Sequence, residues 1–393
     1  MGQPLKKKES RRFSVKDFKT NLLGDNVKSA DKPMEWIIMP EAYQEALKLP
    51  GIPMGRVTMI RGWQDTGKTT LKNLAIASAM RQGILPVIFE TESNFDFQYA
   101  KDCGMPIEPV YGDVDVTDPI TGEAVRKREI VDWEGDYFLF TPNKICAFCG
   151  DIDYATGKKM NTRRTTPVIE DIAYIINTFL EKQEKDELPM PILFAWDSVG
   201  SCQSLRSYNS KVGNNMFDAG AIATAFKPIF PRLESSKEIG REYTNTMIVI
   251  NKIWQDTQNS MGGAVAIANS GGKTFDYGIR LGIHLGGTAR SGTKKLKATL
   301  KGEEYQYGNI TKISVFKNHL PTPYNITYSG TMCCVHNGII PESKIDEYKK
   351  KEIPVLINHM RELNGKNAEA INSADITYSE SGRVEDYTGD VDA

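Results

Sequence analysis

Residues 62–69 have the types and spacing of a loop that binds the phosphates of a nucleotide. They read Gly-Trp-Gln-Asp-Thr-Gly-Lys-Thr, which fits the pattern GxxxxGKT. In such a loop the backbone amides turn towards the phosphates, the lysine reaches the β and γ oxygens, and the threonine hydroxyl coordinates Mg²⁺. The residues predicted to bind the triphosphate are Gly62, Asp65, Thr66, Gly67, Lys68, Thr69 and Thr70. ATP with Mg²⁺ is therefore the expected cofactor.

Carboxylates follow two other apolar segments. Asp197 ends the run 192–196, and Glu90 and Glu92 follow the run 87–89. Asp197 is predicted to hold Mg²⁺ through water, with a helix cap as the alternative role. A carboxylate near the γ-phosphate can polarise the attacking water, as ATP hydrolysis requires. Glu90 and Glu92 lie on one side of an extended backbone, so chemistry alone does not choose between them.

The segments that must position these residues alternate between strands and helices. Strands are predicted at 57–60, 87–89, 137–140, 192–196 and 247–250, and helices at 69–82, 96–103, 169–182 and 217–233. Two interruptions near 107–134 and 144–164 carry turn signals and are interpreted as inserted hairpins. Strands that alternate with helices imply a mostly parallel sheet with helices on both faces. The expected fold class is α/β with a phosphate-loop core.

Composition limits the class of protein. Hydrophobic residues make up 40% of the chain, and 49 basic residues balance 50 acidic ones. This is typical of a soluble globular protein, and the balance is silent about a polyanionic partner. Without a signal peptide or an apolar run of about 20 residues, a cytoplasmic location and no membrane partner are expected. Cys146 and Cys149 are interpreted as packed thiols, because a zinc site needs two more ligands nearby.

Two irregular segments, 201–216 and 254–274, are rich in Ser, Asn, Gly and Gln and follow predicted strands. Such loops emerge at the carboxyl edge of a parallel sheet, where α/β proteins place their ligands. The chain begins with a basic, polar arm and ends in an acidic segment. The arm is interpreted as a solvated tail, with a nucleic-acid contact as the alternative, and the acidic end as a disordered tail.

The order of these pieces resembles the core of the RecA recombinase family over about residues 50–330. Residues 53–70 resemble that family's entry into its phosphate loop, and 193–199 its Mg²⁺-binding strand. Residues 88–104 resemble its second strand and helix. The resemblance implies that Glu92 is the catalytic glutamate, and that Asp96 and Tyr99 hydrogen-bond and stack the adenine. It thereby favours Glu92 over Glu90.

Two further segments match the family but depart from it at single residues. Residues 248–253 resemble the strand whose last polar residue senses the γ-phosphate, where the family has Gln and this chain has Lys252. Residues 316–321 resemble the segment that reaches into the ATP of the neighbouring subunit. Lys317 matches a lysine there, and His319 stands where the bacterial pattern has a second lysine. The resemblance implies that Lys252 acts within the subunit and the other two act in trans.

The resemblance also implies a role for the two irregular segments, with 201–216 as the first DNA-binding loop and 254–272 as the second. The residues expected to contact DNA are Arg206, Lys211, Asn214, Asn215, Met216, Trp254, Gly271, Gly272 and Lys273. Basic and amide side chains can meet phosphates, a tryptophan can stack on a base, and glycines allow backbone amides to approach a phosphate. DNA as the ligand comes from the resemblance alone.

The implied function is a DNA-dependent ATPase that forms ATP-bound filaments on single-stranded DNA. It would promote homologous pairing and strand exchange in recombination and repair. The expected partners are single- and double-stranded DNA, further copies of the chain, and a loader or single-strand-binding protein. Two alternatives stay open, a ring helicase with the same core and a filament scaffold that hydrolyses little ATP. The compact length and unusual loops favour a phage-type recombinase.

The predicted division of the chain follows from these segments. An arm and lead-in for oligomerisation covers 1–50, and the RecA-like core covers 51–330. A small helical region covers 331–364, and the acidic disordered tail covers 365–393.

Overall fold

The computed structural model describes residues 33–117, 124–210, 215–236, 240–256, 266–269, 278–288, 292–363, 365 and 371–384. Its strands are β1 (Trp36–Ile38), β2 (Gly51–Pro53), β3 (Val57–Gly62), β4 (Leu85–Glu90), β5 (Glu108–Thr117), β6 (Ala124–Glu134), β7 (Phe138–Phe140), β8 (Ile192–Asp197), β9 (Thr246–Asp256), β10 (Ala266–Asn269), β11 (Ile279–Leu285), β12 (Lys294–Leu300), β13 (Glu303–Asn318), β14 (Ser329–Val335), β15 (Gly338–Ile340) and β16 (Thr377–Gly382). Its helices are α1 (Glu41–Leu47), α2 (Lys68–Arg81), α3 (Phe97–Asp102), α4 (Pro142–Cys149), α5 (Ile169–Glu184), α6 (Leu205–Ser210), α7 (Asn215–Phe226), α8 (Ile345–Lys351) and α9 (Ile353–Leu363).

Parallel strands form the centre of the main sheet, in the order β11-β3-β9-β8-β4-β7. β13, β14 and β15 extend the sheet beyond β11 with antiparallel pairing, and β12 joins β13 to β16. Parallel neighbours need crossover connections, and helices supply several of them here. The predicted α/β fold with a mostly parallel central sheet is confirmed.

Two hydrophobic cores lie on opposite faces of this sheet, because successive side chains of a strand point to opposite sides. Ile60 and Ile88 pack in the core that contains α1 and α2. Met59 and Val87 pack in the core that contains α5 and α7. β4 and β8 are buried along their whole length, as expected of strands covered on both faces.

The carboxyl ends of four neighbouring strands meet at one edge of the sheet. Gly62 of β3 is paired in register with Lys252 of β9. Glu90 of β4 is paired in register with Asp197 of β8. Residues that are far apart in the chain therefore lie side by side at the start of the phosphate loop.

An antiparallel ribbon of β5 and β6 occupies the segment predicted as the first hairpin. Among the described strands, these two pair only with each other. At the base of the ribbon Trp133 stacks on Phe97 of α3, with 5.6 Å between ring centroids. The ribbon is thus anchored on α3.

The second insertion, predicted as a hairpin near 144–164, begins instead with a helix. Thr141 caps α4, and Pro142 suits its first turn because a proline there gives up no helical hydrogen bond. Strand pairing in the described part of this insertion is one bridge, between Ile152 and Lys159. The two cysteines of α4 are buried free thiols, as predicted.

The segments predicted to be irregular contain regular structure. α6 lies in the first, and in the second β9 continues to Asp256 and pairs with β10. The helix predicted at 217–233 ends earlier, at Phe226, because Pro228 cannot continue it, and a 3-10 turn follows at Phe230–Arg232.

The predicted carboxyl-terminal boundaries are also corrected. β14 and β15 belong to the main sheet, so the region predicted as helical from 331 begins with strands. In the predicted disordered tail, β16 pairs with β12 and buries Ile376. Residues 1–32 of the predicted arm and 385–393 of the tail lie outside the described residues. In the described part of the chain, no helix combines the length and apolarity needed to cross a membrane.

Candidate nucleotide site

The phosphate loop connects β3 to α2 and turns on two residues of positive φ. Asp65 has φ 59° and Gly67 has φ 92°. A Cβ atom on Gly67 would lie 2.5 Å from the Cys334 sulfur, so both the backbone conformation and the space require glycine. Thr66 Oγ1 donates to the Trp63 carbonyl at 2.8 Å and closes the loop.

Lys68 begins α2 and is 9% exposed, so its ammonium lies in a poorly hydrated place. Burial lowers the pKa of Lys68 to about 8, although Asp197 acts in the opposite direction. Its Nζ donates to the Trp63 carbonyl. Thr69, the next residue, is exposed and lines a cavity of about 410 Å³ together with the loop. The amino end of α2 therefore faces a cavity suited to phosphates.

The two residues predicted to hold the adenine lie at α3: Asp96 directly precedes the helix, and Tyr99 lies within it. The carboxylate of Asp96 caps this helix by accepting from the Tyr99 amide at 2.9 Å. The Tyr99 hydroxyl is 2.6 Å from Thr70 Oγ1, so α3 is joined directly to α2. Burial raises the pKa of Tyr99, which keeps its hydroxyl protonated. Tyr99 lines the same cavity as the phosphate loop.

Glu92 is held at the sheet edge by two donors, one directly after β8 and one in β9. Its Oε1 accepts from Ser198 Oγ at 2.6 Å, and its Oε2 accepts from Lys252 Nζ at 2.8 Å. Burial raises the pKa of Glu92, but the hydrogen bonds from Lys252 and Ser198 outweigh it and hold the pKa below its usual value. The lowered pKa keeps the carboxylate of Glu92 ionised near neutral pH. Its side chain is 19% exposed, so it can be reached from solvent.

Glu90 has a different environment. It is 1% exposed, and its Oε2 accepts from Lys72 Nζ at 3.3 Å. The same ammonium lies 2.6 Å from Asp197 Oδ2. Burial raises the pKa of Glu90, and Lys72 opposes that rise. The two glutamates that sequence chemistry could not separate are therefore separated by their partners.

The donor set at this edge suits Mg²⁺. The Thr69 hydroxyl and the Asp197 carboxylate are hard oxygen ligands, which this ion prefers alongside phosphate oxygens. A cation already lies against the carboxylate, since the Lys72 ammonium contacts one oxygen of Asp197. Thr91 Oγ1 donates to the Asp197 carbonyl at 3.0 Å and ties the end of β8 to β4.

One wall of the cavity comes from the carboxyl-terminal strands, which the sequence did not indicate. Asn309 of β13 donates through Nδ2 to the Asp65 carbonyl at 3.0 Å. His336, next to β14, lines the cavity, and its Nδ1 is hydrogen-bonded to the Tyr348 hydroxyl of α8. No local pattern could have found these residues, because they lie more than two hundred positions from the loop in the chain.

Lys72 and Ser198 were also missed, although each had a local signal. Lys72 lies four residues after Lys68 and so on the same side of α2. Ser198 directly follows Asp197.

Lys317 and His319 are not gathered at the phosphate loop of their own chain. Lys317 is paired with Gly282 of β11, whereas Leu285, at the carboxyl end of that strand, is the partner of Gly62. β13 runs antiparallel to β11, so Lys317 lies nearer the opposite edge of the sheet. His319 is exposed just beyond it.

The residues predicted to contact DNA are only partly described. Arg206 is exposed on α6, with its guanidinium 3.9 Å from the ring centroid of Phe217, and Met216 is 74% exposed. The structure describes the backbone of Asn215, which begins α7, and of Trp254, which lies in β9. Outside the described residues lie Lys211, Asn214, Gly271, Gly272 and Lys273.

The first part of the chain matches a known family. Residues 32–133 match the model of the RecA N-terminal domain. The protein RecA of Treponema pallidum is 40% identical over 79 residues, 20% of this chain and 18% of that protein. The protein RecA of Arthrobacter sp. is 36% identical over 111 residues, 28% of this chain and 29% of that protein. The protein RecA of Chloroflexus aurantiacus is 41% identical over 82 residues, 21% of this chain and 22% of that protein.

The match thus spans less than a third of each of these relatives. The matched segment holds the phosphate loop, Glu92 and α3. The same segment carries β3 and β4 of the parallel sheet. Through this amino-terminal segment the chain is similar to the RecA family.

Proposed function

We propose that this protein is a DNA-dependent ATPase that polymerises on single-stranded DNA and pairs it with a homologous duplex. The observation that carries the proposal is the position of Glu92. Its ionised carboxylate is held by Ser198 and Lys252 at the sheet edge from which the phosphate loop leaves. The match of residues 32–133 to the RecA N-terminal domain supports the same function.

Each side chain of the site then has a role in hydrolysis. Bound Mg²⁺ would neutralise charge on the phosphates, with Thr69 and Asp197 as its protein ligands. Lys68 and the loop amides bind the β- and γ-phosphates, and Glu92 orients the attacking water and accepts its proton. Asp96 and Tyr99 bind the adenine.

Lys317 and His319 complete the active site of a neighbouring subunit in this proposal. Their distance along β13 from the phosphate loop of their own chain supports a role in trans. ATP bound between subunits would then link nucleotide state to polymerisation, so the protein would form a helical filament.

The DNA would run along the carboxyl edge of the sheet. Arg206 on α6 is exposed near that edge and can meet a phosphate. The segment 201–216 follows β8, whose last residue is Asp197, and β9, which carries Lys252, continues into the segment 254–274. DNA binding and the nucleotide would therefore be coupled through β8 and β9.

A filament scaffold that binds ATP but hydrolyses it slowly is a second candidate. Although burial raises the pKa of Glu92, the hydrogen bonds from Lys252 and Ser198 hold it below its usual value, which makes the carboxylate a weaker base towards water. ATP turnover measured with and without DNA distinguishes the two candidates, since a DNA-dependent ATPase requires that DNA raise the rate of ATP hydrolysis.

The proposal is tested by electron microscopy and strand exchange with the wild type and Glu92→Gln. We expect helical filaments on single-stranded DNA with ATP, and pairing of single-stranded circles with linear duplex. Glu92→Gln should keep ATP bound and make the filaments longer-lived, with turnover lowered by about 10²- to 10⁴-fold. Lys68→Ala is the control without nucleotide binding, and it should form no ATP-dependent filament.

Closed rings that unwind a forked duplex without pairing would instead identify a helicase. Normal turnover by Glu92→Gln would refute the assignment of the base. Undiminished nucleotide affinity of Lys68→Ala would refute the nucleotide site.

A further inference from the structure

A lysine is buried between two carboxylates behind the phosphate loop. Lys72 lies in the second turn of α2, and its Nζ is 2.6 Å from Asp197 Oδ2 and 3.3 Å from Glu90 Oε2. The side chains of Lys72 and Glu90 are each 1% exposed, and that of Asp197 is 11% exposed. The ring centroid of Phe95 is 5.5 Å from the same Nζ, which adds an aromatic face to the surroundings of the ammonium.

The sheet register explains why a cation is needed here. Glu90 and Asp197 are direct partners on neighbouring parallel strands. Two carboxylates so placed repel each other, and in a poorly hydrated place the repulsion is only weakly screened. A buried charge is tolerated when a partner of opposite sign bonds to it. Lys72 provides that partner for both carboxylates at once.

The position that Lys72 fills has the chemistry of a cation site. Two carboxylates that face each other across neighbouring strands would offer hard oxygen ligands to a divalent ion. The ammonium takes Oδ2 of Asp197 and one oxygen of Glu90. Lys72 is too buried to meet a substrate, and Glu92 has its own cationic partner in Lys252.

We propose that Lys72 is a tethered cation that occupies the place between Glu90 and Asp197, so that the site takes no second divalent ion there. Lys72 is then a positioning residue, which holds one oxygen of Asp197 and leaves the other for the nucleotide's metal. The inference goes beyond the proposed ATPase. It rests on that function only for the identity of this metal.

The test is cation binding by the purified full chain without nucleotide or DNA, read as thermal stability during titration with Mg²⁺ or Ca²⁺. Lys72→Met keeps the apolar stem of the side chain and removes the charge. We expect this variant to be less stable than the wild type in chelator and to regain stability as the cation is added. The cation concentration for half-maximal stabilisation should be about tenfold or more below that of the wild type, because one more carboxylate becomes available as a ligand.

Two further variants isolate the cause. The double variant Lys72→Met/Glu90→Gln also removes the second carboxylate. In chelator it should be more stable than Lys72→Met, and it should lose the extra response to the cation. Arg164→Met is the matched control, since Arg164 and Asp171 form another buried ion pair, 2.6 Å apart, on the opposite face of the sheet. It should be destabilised without any rescue by cations.

Four outcomes would overturn the proposal. The first is a response of Lys72→Met to the cation equal to that of the wild type, and the second is an extra response that the double variant keeps. Rescue of Arg164→Met by the cation would show that the cation stabilises any variant with an unpaired buried carboxylate. If Lys72→Met stayed insoluble with the cation present, whether or not the double variant folded, Lys72 would be a packing residue. Because no nucleotide is present, none of these results depends on the proposed ATPase activity.

Discussion

Glu92 differs from Glu90 because of its partners and not because of its type. Glu90 faces inward and pairs with a buried ammonium, whereas Glu92 is partly exposed between Ser198 and Lys252. Glu90 is the last residue of β4, whereas Glu92 lies in the turn that follows the strand. The partners and position of each carboxylate therefore decide which of the two is open to solvent.

Lys252→Met should shift the acid limb of the pH–rate profile to higher pH. Glu92 must be ionised to accept a proton, and burial raises its pKa while the hydrogen bond from Lys252 lowers it. Without that donor the raising effect of burial remains, so a larger fraction of Glu92 is protonated at a given acid pH. The measurement is kcat against pH for the wild type and the variant.

Lys182→Met is the matched control for this prediction. Lys182 donates to Glu187 at 2.8 Å in an exposed pair remote from the site. Its loss should leave the acid limb where it is in the wild type. An unchanged limb in Lys252→Met would mean that Lys252 does not set the ionisation of Glu92.

Among the elements, α5 and the insertion before it depend on one buried network. Arg164 donates to Asp171 at 2.6 Å, and to the Cys149 carbonyl at 3.0 Å. The Tyr154 hydroxyl also donates to Asp171, which is fully buried. The network fastens residues 150–164 onto the first turn of α5, so the insertion has a fixed shape despite its polar sequence.

Arg164→Met should destabilise the protein by about 3–5 kcal/mol, because it leaves the Asp171 carboxylate buried without its cation. Urea unfolding followed by circular dichroism measures this change. Lys159→Met is the control, since Lys159 forms an exposed pair with Asp151 at 3.5 Å and its loss should not alter the midpoint. Equal midpoints for Arg164→Met and the wild type would contradict the role of the network.

At the scale of the whole molecule, β16 near the carboxyl end adds a strand to the antiparallel part of the sheet, next to β12. β16 pairs with β12 from Thr377 to Gly382, and Ile376 is 5% exposed. The Tyr378 hydroxyl donates to the Lys349 carbonyl of α8 at 2.9 Å. Through α8 and His336, this part of the sheet reaches the wall of the nucleotide cavity.

Removal of residues 371–393 should lower the free energy of unfolding by about 2–3 kcal/mol, since it exposes the surface that Ile376 covers and leaves the edge of β12 unpaired. Removal of residues 385–393 alone is the control, and it keeps every contact described for β16. The two truncations are compared with the full chain by urea unfolding. Equal stability of all three would show that β16 adds nothing to the fold.

The loop between β3 and α2 could be predicted from the sequence because its residues are consecutive. The alternation of apolar strands and helices likewise predicted a parallel sheet, since burial on both faces leaves a continuous apolar run in strands such as β8. The end of α7 and the helix α4 were predicted wrongly, because Pro228 stops α7 early and Thr141 with Pro142 starts a helix in a segment that also carries turn residues. β16 was missed because the segment around it has an excess of acidic residues, which is typical of disorder.

The sequence by itself predicted a loop for phosphates and the residues that form it, since that information is local. Only the tertiary structure decided what surrounds the loop. Lys252 meets Glu92 across 160 positions, and Lys72 meets Asp197 across 125. Such partners are set by the order and register of strands in the sheet, which no local pattern encodes. The physical reason is that burial and pairing, more than residue type, fix the ionisation and the solvent exposure of each carboxylate.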